Sequence, residues 1–218
     1  MTSVHSTAII AASAELAGDV VIGPYTVVGT DTAIGEGTSI GANVVIAPRP
    51  RIGRHNRWFQ FASVAEFPQD RNSTGDATHP VIGDGNVIRE FVTIHAGTAQ
   101  DKGVTTIGDG NWLLAYSHIA HDCVIGNGTT FSNNAQLAGH VIIDDYAVLG
   151  GFVGVHQFCR VGTHAMLAAG SIVLQDVPPY VPVSGSPATP RGTHRHGPRR
   201  PRFRRRGARP LAPPPTPP

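Results

Sequence analysis

Large aliphatic side chains recur at every sixth position along most of this 218-residue chain, and this period constrains its fold more than any other feature. The next position is usually small, often Gly, and the position two before is small or β-branched. A helix period of 3.6 or a strand period of 2.0 alone does not produce this pattern. The two long runs are Ile10, Leu16, Ile22, Val28, Ile34, Ile40, Ile46 and Ile52, and then Ile107, Leu113, Ile119, Ile125, Phe131, Leu137, Ile143, Leu149, Val155, Val161, Leu167 and Val173.

A six-residue repeat is typical of a coil of short strands. Positions i and i−2 of each strand point inward, and a small residue at i+1 allows a tight corner. Three strands complete a triangular coil of about 18 residues, and the coils stack at about 4.8 Å, the spacing of neighbouring strands. The sequence therefore predicts an all-β fold, a left-handed parallel β-helix of hexapeptide repeats filled by the aliphatic column.

The period divides the chain into three predicted parts. Residues 1–176 form the β-helix, with polar, turn-rich loops near 66–80 and 96–106. Paired prolines at 178 and 179 cannot continue a ladder, so 177–192 is predicted as an extended segment after the helix. Residues 193–218 are rich in Arg and Pro and cannot bury enough apolar surface to fold, which predicts a disordered tail.

Charge is distributed unevenly along the chain. Residues 191–218 hold nine of the 17 basic residues and no acidic ones, so the remainder carries eight basic and 15 acidic residues. An Arg-rich tail could bind nucleic acid or anionic lipid, but it has only Phe203 to stack on bases. A solvated tail is the favoured interpretation, and we expect no nucleic-acid partner.

The rest of the composition predicts a cytoplasmic protein with reduced cysteines. No apolar stretch is long enough for a membrane span, and the N-terminus lacks the basic flank and apolar run of a signal peptide. Cys123 and Cys159 both lie at the inward i−2 phase, two coils apart, which is too far for a disulfide. Both are predicted to be free thiols in the core.

Four histidines fall at phases that point away from the interior: His118, His121, His140 and His156. One coil later in the sequence, Gly139 stacks on His121 and His140 stacks on Asp122. An imidazole beside a carboxylate, with a glycine N–H one coil away, provides a general base, its orienting partner and an oxyanion donor. Zinc binding is the competing interpretation, as in the histidine sites of γ-class carbonic anhydrases. The spacing of His118 and His121 does not match those sites, so we expect no metal.

Several segments together resemble one family, the acyl-carrier-protein-dependent UDP-N-acetylglucosamine O-acyltransferases that begin lipid A synthesis. The resemblance covers roughly residues 4–193. It rests on the segments Ile88–Thr98, His118–Cys123, Asn133–His140, Val155–Cys159 and Gln175–Tyr180.

The resemblance implies a homotrimer that transfers a 3-hydroxyacyl group from acyl carrier protein to the 3-hydroxyl of UDP-N-acetylglucosamine, with no cofactor besides the carrier thioester. His121 would be the general base, Asp122 would orient it, and the Gly139 N–H would stabilise the oxyanion. The positions that match substrate contacts are Gln69, Asp70, His118, His140, His156 and Gln157. Ala168 and Ala169 match the residues that limit acyl length, and imply an intermediate chain.

The sequence departs from the family at two places. Asn72 stands where the family often has a lysine, with Arg71 adjacent, and after about Thr193 the chain diverges from a helical domain that the family carries. One alternative is therefore an inactive or weakly active truncated homologue that binds substrate without turnover. Another is the related UDP-3-O-acylglucosamine N-acyltransferase, although that group has an extra N-terminal domain and the coil here begins by about residue 8.

Overall fold

The computed structural model describes residues 1–73 and 78–192. Within these ranges the chain forms 28 short strands in three sheets and no helix. No helix in the described part is therefore long and apolar enough to cross a membrane. The predicted tail at 193–218 lies outside the described residues.

The three sheets form the three faces of the coil. Sheet A contains β1 (Ser3–Val4), β4 (Val21–Ile22), β7 (Ser39–Ile40), β10 (Arg57–Trp58), β13 (Val87–Ile88), β16 (Trp112–Leu113), β19 (Thr130–Phe131), β22 (Val148–Leu149), β25 (Met166–Leu167), β27 (Pro182–Ser184) and β28 (Thr189–Pro190). Sheet B contains β2 (Ile9–Ile10), β5 (Val27–Val28), β8 (Val45–Ile46), β11 (Ser63–Glu66), β14 (Thr93–His95), β17 (His118–Ile119), β20 (Gln136–Leu137), β23 (Gly154–Val155) and β26 (Ile172–Val173). Sheet C contains β3 (Glu15–Leu16), β6 (Ala33–Ile34), β9 (Arg51–Ile52), β12 (His79–Ile82), β15 (Val104–Ile107), β18 (Val124–Ile125), β21 (Ile142–Ile143) and β24 (Arg160–Val161).

Each strand pairs in parallel with the strand one coil later, except for the antiparallel pair β27–β28. The register follows the hexad: His118 lies opposite Gln136, and Ile119 lies opposite Leu137. The all-β parallel β-helix that the sequence predicts is confirmed. Its core is the predicted aliphatic column, in which Ile119 and Leu113 are fully buried. Burying one such side chain contributes about 1.5–3 kcal/mol.

Three stacks of four-residue turns connect the sheets, and their places matter for the site. The A/B corner includes residues 114–117, 132–135, 150–153 and 168–171, the B/C corner includes 120–123, 138–141 and 156–159, and the C/A corner includes 126–129, 144–147 and 162–165. The third residue of a corner usually has left-handed backbone, with φ of 59° at Asp122, 61° at His140 and 65° at Phe158. Asp and His tolerate this region better than β-branched residues do.

The two segments that interrupt the period both leave the coil at the B/C corner. One joins β11 to β12, and the other joins β14 to β15. Strand pairing continues across both, since Trp58 lies opposite Ile88 and Val87 lies opposite Trp112. The fold thus places both loops on the same edge of the prism as His121.

The ladder continues past the paired prolines, where the sequence predicts that it ends. Val177 forms a parallel bridge with Val161, and Val183 pairs with Leu167 through β27 and β25. Residues 178 and 179 lie in a turn between these two pairings, so the lack of an N–H at proline interrupts no ladder bond. The segment after residue 176 therefore adds to the coil before the β27–β28 hairpin ends it.

Candidate active site

The B/C corner and the two loops beside it enclose a cleft with a volume of about 810 Å³. This size suits a substrate larger than a simple metabolite. The lining residues are Gln69, Asp70, Arg71, Asn72, His95, His118, Ala120, His121, Leu137, Ala138, Gly139, His140, Gln157 and Phe158. Histidines from three consecutive coils, at His95, His118, His121 and His140, therefore face one space with Gln157 of the next coil and amides of the β11–β12 loop.

His121 and Asp122 form a hydrogen-bonded pair at the base of the cleft. The Nδ1 of His121 lies 2.9 Å from Oδ2 of Asp122, and the imidazole is largely buried while the carboxylate is almost completely buried. A carboxylate at this distance selects the tautomer with the proton on Nδ1. The Nε2 of His121 is then a free lone pair, which is the arrangement that a general base requires.

The carboxylate of Asp122 accepts two hydrogen bonds from the loop of residues 96–103. The N–H of Thr98 donates to Oδ1 at 2.9 Å, and the hydroxyl of Thr98 donates to Oδ2 at 2.7 Å. The Asp122 N–H in turn donates to the Thr105 hydroxyl at 2.9 Å. These contacts compensate the cost of burying a charged group.

Gly139 packs directly on the His121 ring, as the 18-residue register predicts. A Cβ at Gly139 would lie 2.6 Å from Nε2 of His121, so only glycine leaves the imidazole in place. The Gly139 N–H makes no hydrogen bond to any other residue in the described ranges. Several equivalent N–H groups of the C/A corner are capped by the next coil, as in the bonds from the Asp109 N–H to Asn127 and from the Asn127 N–H to Asp145. The unpaired Gly139 N–H can therefore stabilise an oxyanion, while the neighbouring Nε2 of His121 acts as the base.

His140 is held from two sides. Its Nδ1 lies 3.0 Å from Oδ2 of Asp101, and its ring stacks on Phe158 with centroids 4.5 Å apart. The ring also meets His121 edge-on at 5.1 Å. With Nδ1 held by Asp101, the Nε2 of His140 lies 3.9 Å from Oδ2 of Asp122.

His118 and His95 line the inner wall of the cleft as neutral imidazoles. Burial lowers the pKa of His118 to about 4, with further lowering from His95 and His121. Burial also lowers the pKa of His95, whose Nδ1 contacts the Phe67 carbonyl oxygen at 2.6 Å. The Thr93 hydroxyl lies 2.7 Å from Nδ1 of His118. Both rings can therefore offer directional hydrogen bonds to a ligand near neutral pH without carrying charge.

The loop between β11 and β12 supplies the outer wall. Oδ1 of Asp70 accepts the Asn72 N–H at 3.0 Å, and the Gln100 amide donates to the Asn72 carbonyl oxygen at 2.8 Å. The two loops therefore contact each other at the mouth of the cleft. Arg71 lies beside Asn72 on this wall and brings a positive charge to it.

The structure brings together most, but not all, of the residues that the sequence and the resemblance single out. His121, Asp122 and Gly139 form one cluster, and Gln69, Asp70, His118, His140 and Gln157 line the cleft around it. His156 is exposed, its Nδ1 is 3.1 Å from the Gln157 carbonyl oxygen, and it does not line this cleft.

Ala168 and Ala169 also lie apart from the cleft. They belong to the A/B corner, stacked on Gly150, whereas the cleft lies at the B/C corner of the same chain. One chain therefore does not bring these alanines to His121.

Three further residues at the site were missed by the sequence reasoning. His95 ends β14, where the hexad phase places it just after the inward Ile94 but indicates no role, whereas Thr98 and Asp101 lie in the second insertion, where that phase does not apply. The available signal was Ile88–Thr98, the segment that carries the resemblance and contains two of the three.

His121, Asp122 and His140 also have the geometry of a possible metal cluster, with one candidate ligand atom each, all within 4.8 Å of one another. Each already has another role in the structure: His121 and Asp122 pair with each other, and His140 pairs with Asp101. The hydrogen bonds explain the arrangement without an ion.

Comparison with known proteins places the chain first in a class and then in a family. The sequence model for the bacterial transferase hexapeptide, described as six repeats, matches residues 13–48 and 105–139. The chain thus contains the repeat of the hexapeptide transferase class.

Its relatives narrow the class further. It is 54% identical over 197 residues to the acyl-[acyl-carrier-protein]–UDP-N-acetylglucosamine O-acyltransferase of Thiobacillus denitrificans, covering 90% of this chain and 76% of that protein. It is 52% identical over 200 residues to the same enzyme of Verminephrobacter eiseniae, covering 92% and 76%. The crystal structure of Francisella novicida UDP-N-acetylglucosamine acyltransferase superposes with a TM-score of 0.90 at 46% identity, covering 94% and 75%. The chain belongs to the acyl-[acyl-carrier-protein]–UDP-N-acetylglucosamine O-acyltransferase family, and it spans about three quarters of the length of these relatives.

Proposed function

We propose that the protein transfers a 3-hydroxyacyl group from acyl carrier protein to the 3-hydroxyl of UDP-N-acetylglucosamine, the first step of lipid A synthesis. The observation that carries this proposal is the His121–Asp122 pair, with its free Nε2 beside the Gly139 N–H. The name of the family states the two substrates, acyl carrier protein and UDP-N-acetylglucosamine. The cleft contains the base and the N–H donor that an acyl transfer between them requires.

The chemistry follows from the placement of these groups. Nε2 of His121 removes the proton of the sugar hydroxyl as its oxygen attacks the thioester carbonyl. Negative charge then develops on the carbonyl oxygen, where the Gly139 N–H donates a hydrogen bond. Asp122 stabilises the imidazolium that has formed. When the C–S bond breaks, the carrier thiolate takes the proton from His121, so the enzyme returns to its starting state. The thioester is already activated, and a single base is sufficient.

The wall of the cleft is suited to a nucleotide sugar. His118 and His95 are neutral imidazoles that can donate and accept hydrogen bonds. Gln157 adds a side-chain amide, and Gln69 and Asp70 of the outer loop can accept hydrogen bonds from sugar hydroxyls. We assign substrate binding to His118, His140, Gln157, Gln69 and Asp70, and we assign the pyrophosphate to Arg71, the cation on the outer wall. His156 is assigned to the rim of the site.

A homotrimer is part of the proposal because the family resemblance implies one and because a single chain keeps two groups of assigned residues apart. Ala168 and Ala169 lie on a different corner of the prism from His121. If they limit acyl length, they do so from the A/B corner of a neighbouring chain packed against the B/C corner of this one. We further propose that the reaction runs in the cytoplasm, with no cofactor and no metal.

The test is direct transfer by the full chain. The protein is incubated with 3-hydroxyacyl carrier protein and either UDP-N-acetylglucosamine or the 3-O-acylated UDP-glucosamine that carries a free amine, and the products are identified by mass spectrometry. The proposal predicts an ester at the 3-oxygen from the first acceptor and no amide from the second. Amide formation alone would support the N-acyltransferase alternative. Binding of the nucleotide sugar without product would support the inactive alternative.

A further inference from the structure

We propose that Thr98 is a positioning residue for the reaction, acting through Asp122 on His121. The inference deepens the proposed function and rests on it. Thr98 comes from the loop of residues 96–103, which the six-residue period does not place, and it does not itself line the cleft.

The contact between Thr98 and Asp122 has two points. The Thr98 N–H donates to Oδ1 at 2.9 Å, and its hydroxyl donates to Oδ2 at 2.7 Å. Two donors on two oxygens define the plane of the carboxylate, which a single bond would leave free to rotate. Oδ2 is also the oxygen that lies 2.9 Å from Nδ1 of His121. The hydroxyl of Thr98 and the imidazole of His121 therefore share one acceptor atom.

The loop is shaped for this contact. Gly97 allows the chain to pass close to Asp122, because a Cβ there would lie 2.8 Å from Oδ1 and 2.5 Å from the carbonyl carbon of Gly103. The carbonyl oxygen of Thr98 accepts the Gly103 N–H at 3.0 Å and the Asp101 N–H at 3.2 Å. Thr98 is thus fixed in a tight turn, and both contact residues are buried: Thr98 is 3% exposed and Asp122 is 5% exposed.

The chemical need for a fixed carboxylate is strict. His121 can act as a base only while Nδ1 is protonated and Nε2 points at the acceptor hydroxyl. Asp122 enforces both conditions, but its own short side chain on a left-handed backbone does not determine where its oxygens lie. The two hydrogen bonds from Thr98 fix the positions of both oxygens. A displacement of about 1 Å in a catalytic group can cost about a hundredfold in rate.

A purely structural role for Thr98 is the competing explanation, and a double-mutant cycle separates the two. Thr98→Val removes the hydroxyl and keeps the shape and the N–H, while Thr98→Ser keeps the hydroxyl. Thr106→Val is the matched control, since Thr106 lies on β15 just after the loop and pairs with Val124 on sheet C. Each change is made in the wild type, and Thr98→Val is also combined with Asp122→Ala.

Turnover with UDP-N-acetylglucosamine supplies the first readout. We expect Thr98→Val to lower kcat by about tenfold, the usual effect of losing a hydrogen bond to a charged group, with KM for the nucleotide sugar unchanged. Thr98→Ser should retain most of the activity, and Thr106→Val all of it. In the Asp122→Ala background the Thr98 change should have no further effect. An undiminished kcat in Thr98→Val, or an equal loss in both backgrounds, would overturn the proposal.

A second readout does not need turnover. The Nδ1 proton of His121 gives a downfield ¹H NMR resonance, assigned by its loss in His121→Ala. The proposal predicts that this resonance moves or broadens through exchange in Thr98→Val and stays unchanged in Thr106→Val. If the wild type transferred no acyl group, the proposed function would fail, and this signal alone would decide whether Thr98 holds the pair. An unchanged resonance in Thr98→Val would then contradict the inference.

Discussion

The contact between Gly139 and His121 yields a sharp prediction for the Gly139→Ala variant. The added methyl group would lie 2.6 Å from Nε2 of His121, the atom assigned as the base, and still closer to Cε1. The backbone at Gly139 is outside the left-handed region, so the change introduces no conformational strain. The whole effect of the substitution therefore falls on the imidazole.

The size of the effect follows from that distance. Carbon and nitrogen atoms in ordinary contact lie about 3.5 Å apart, so the ring must move by about 1 Å. That movement lengthens the 2.9 Å contact to Asp122 or tilts Nε2 away from the acceptor. A misplacement of this size can cost about a hundredfold, which is the predicted loss in kcat. The fold should survive, because the His121 ring lies outside the aliphatic core and faces the cleft, into which it can move.

The assay is steady-state acyl transfer, with thermal unfolding measured on the same samples. Gly18→Ala is the matched control, because a Cβ at Gly18 meets no atom within 4 Å. Gly18→Ala should keep full activity, and both variants should unfold within a few degrees of the wild type. Activity of Gly139→Ala within threefold of the wild type would refute the assigned role of Nε2. Loss of folding would refute the claim that the imidazole alone yields.

Two further predictions concern titration and acyl length. Because burial lowers the pKa of His118 from 6.5 to about 4, the unfolded chain binds a proton that the folded chain does not, and stability should fall as the pH drops from 6.5 to 4. In His118→Gln the urea midpoint of unfolding should fall less steeply with decreasing pH than in the wild type. An equal pH dependence in both proteins would contradict the argument from burial. Ala169→Met should reduce kcat/KM for the longest 3-hydroxyacyl donors by at least about tenfold, the scale for one misfitting group in an apolar pocket. Ala42→Met, at the same corner position of an earlier coil, should leave the preference unchanged, and equal behaviour of the two variants would contradict the role of the A/B corner.

The sequence predicted the fold well because one period specifies both the inward column and the strand register. The phase placed Ile119 in the core and turned His121 outward, and the 18-residue step placed Gly139 on His121. Cys123 and Cys159 are buried and free, as their phase indicates. These inferences need only the repeat, which is why they could be made without a structure.

The sequence reasoning was weaker where the repeat is broken or ends. Thr98 and Asp101 lie in an insertion, and their contacts with Asp122 and His140 span 24 and 39 residues, with no periodic rule to predict them. Pro178 and Pro179 predict a stop because a proline interrupts a ladder where its N–H would pair, but these two lie at a corner, where no ladder bond is lost. His156 differs from both, since only the resemblance implies a substrate contact there; one chain leaves this side chain outside the cleft, and the contact stays a prediction.

The central claim is that His121 is the base of an acyltransferase, and the most direct measurement compares kcat of wild type, His121→Ala and His55→Ala. His55 is an exposed histidine at the C/A corner and does not line the cleft, so its replacement controls for the loss of an imidazole elsewhere on the prism. We predict that His121→Ala lowers kcat for 3-hydroxyacyl transfer by about a hundredfold to ten-thousandfold, the range for a lost general base. Binding of UDP-N-acetylglucosamine by calorimetry should persist, and His55→Ala should match the wild type. Turnover by His121→Ala within tenfold of the wild type would contradict the account.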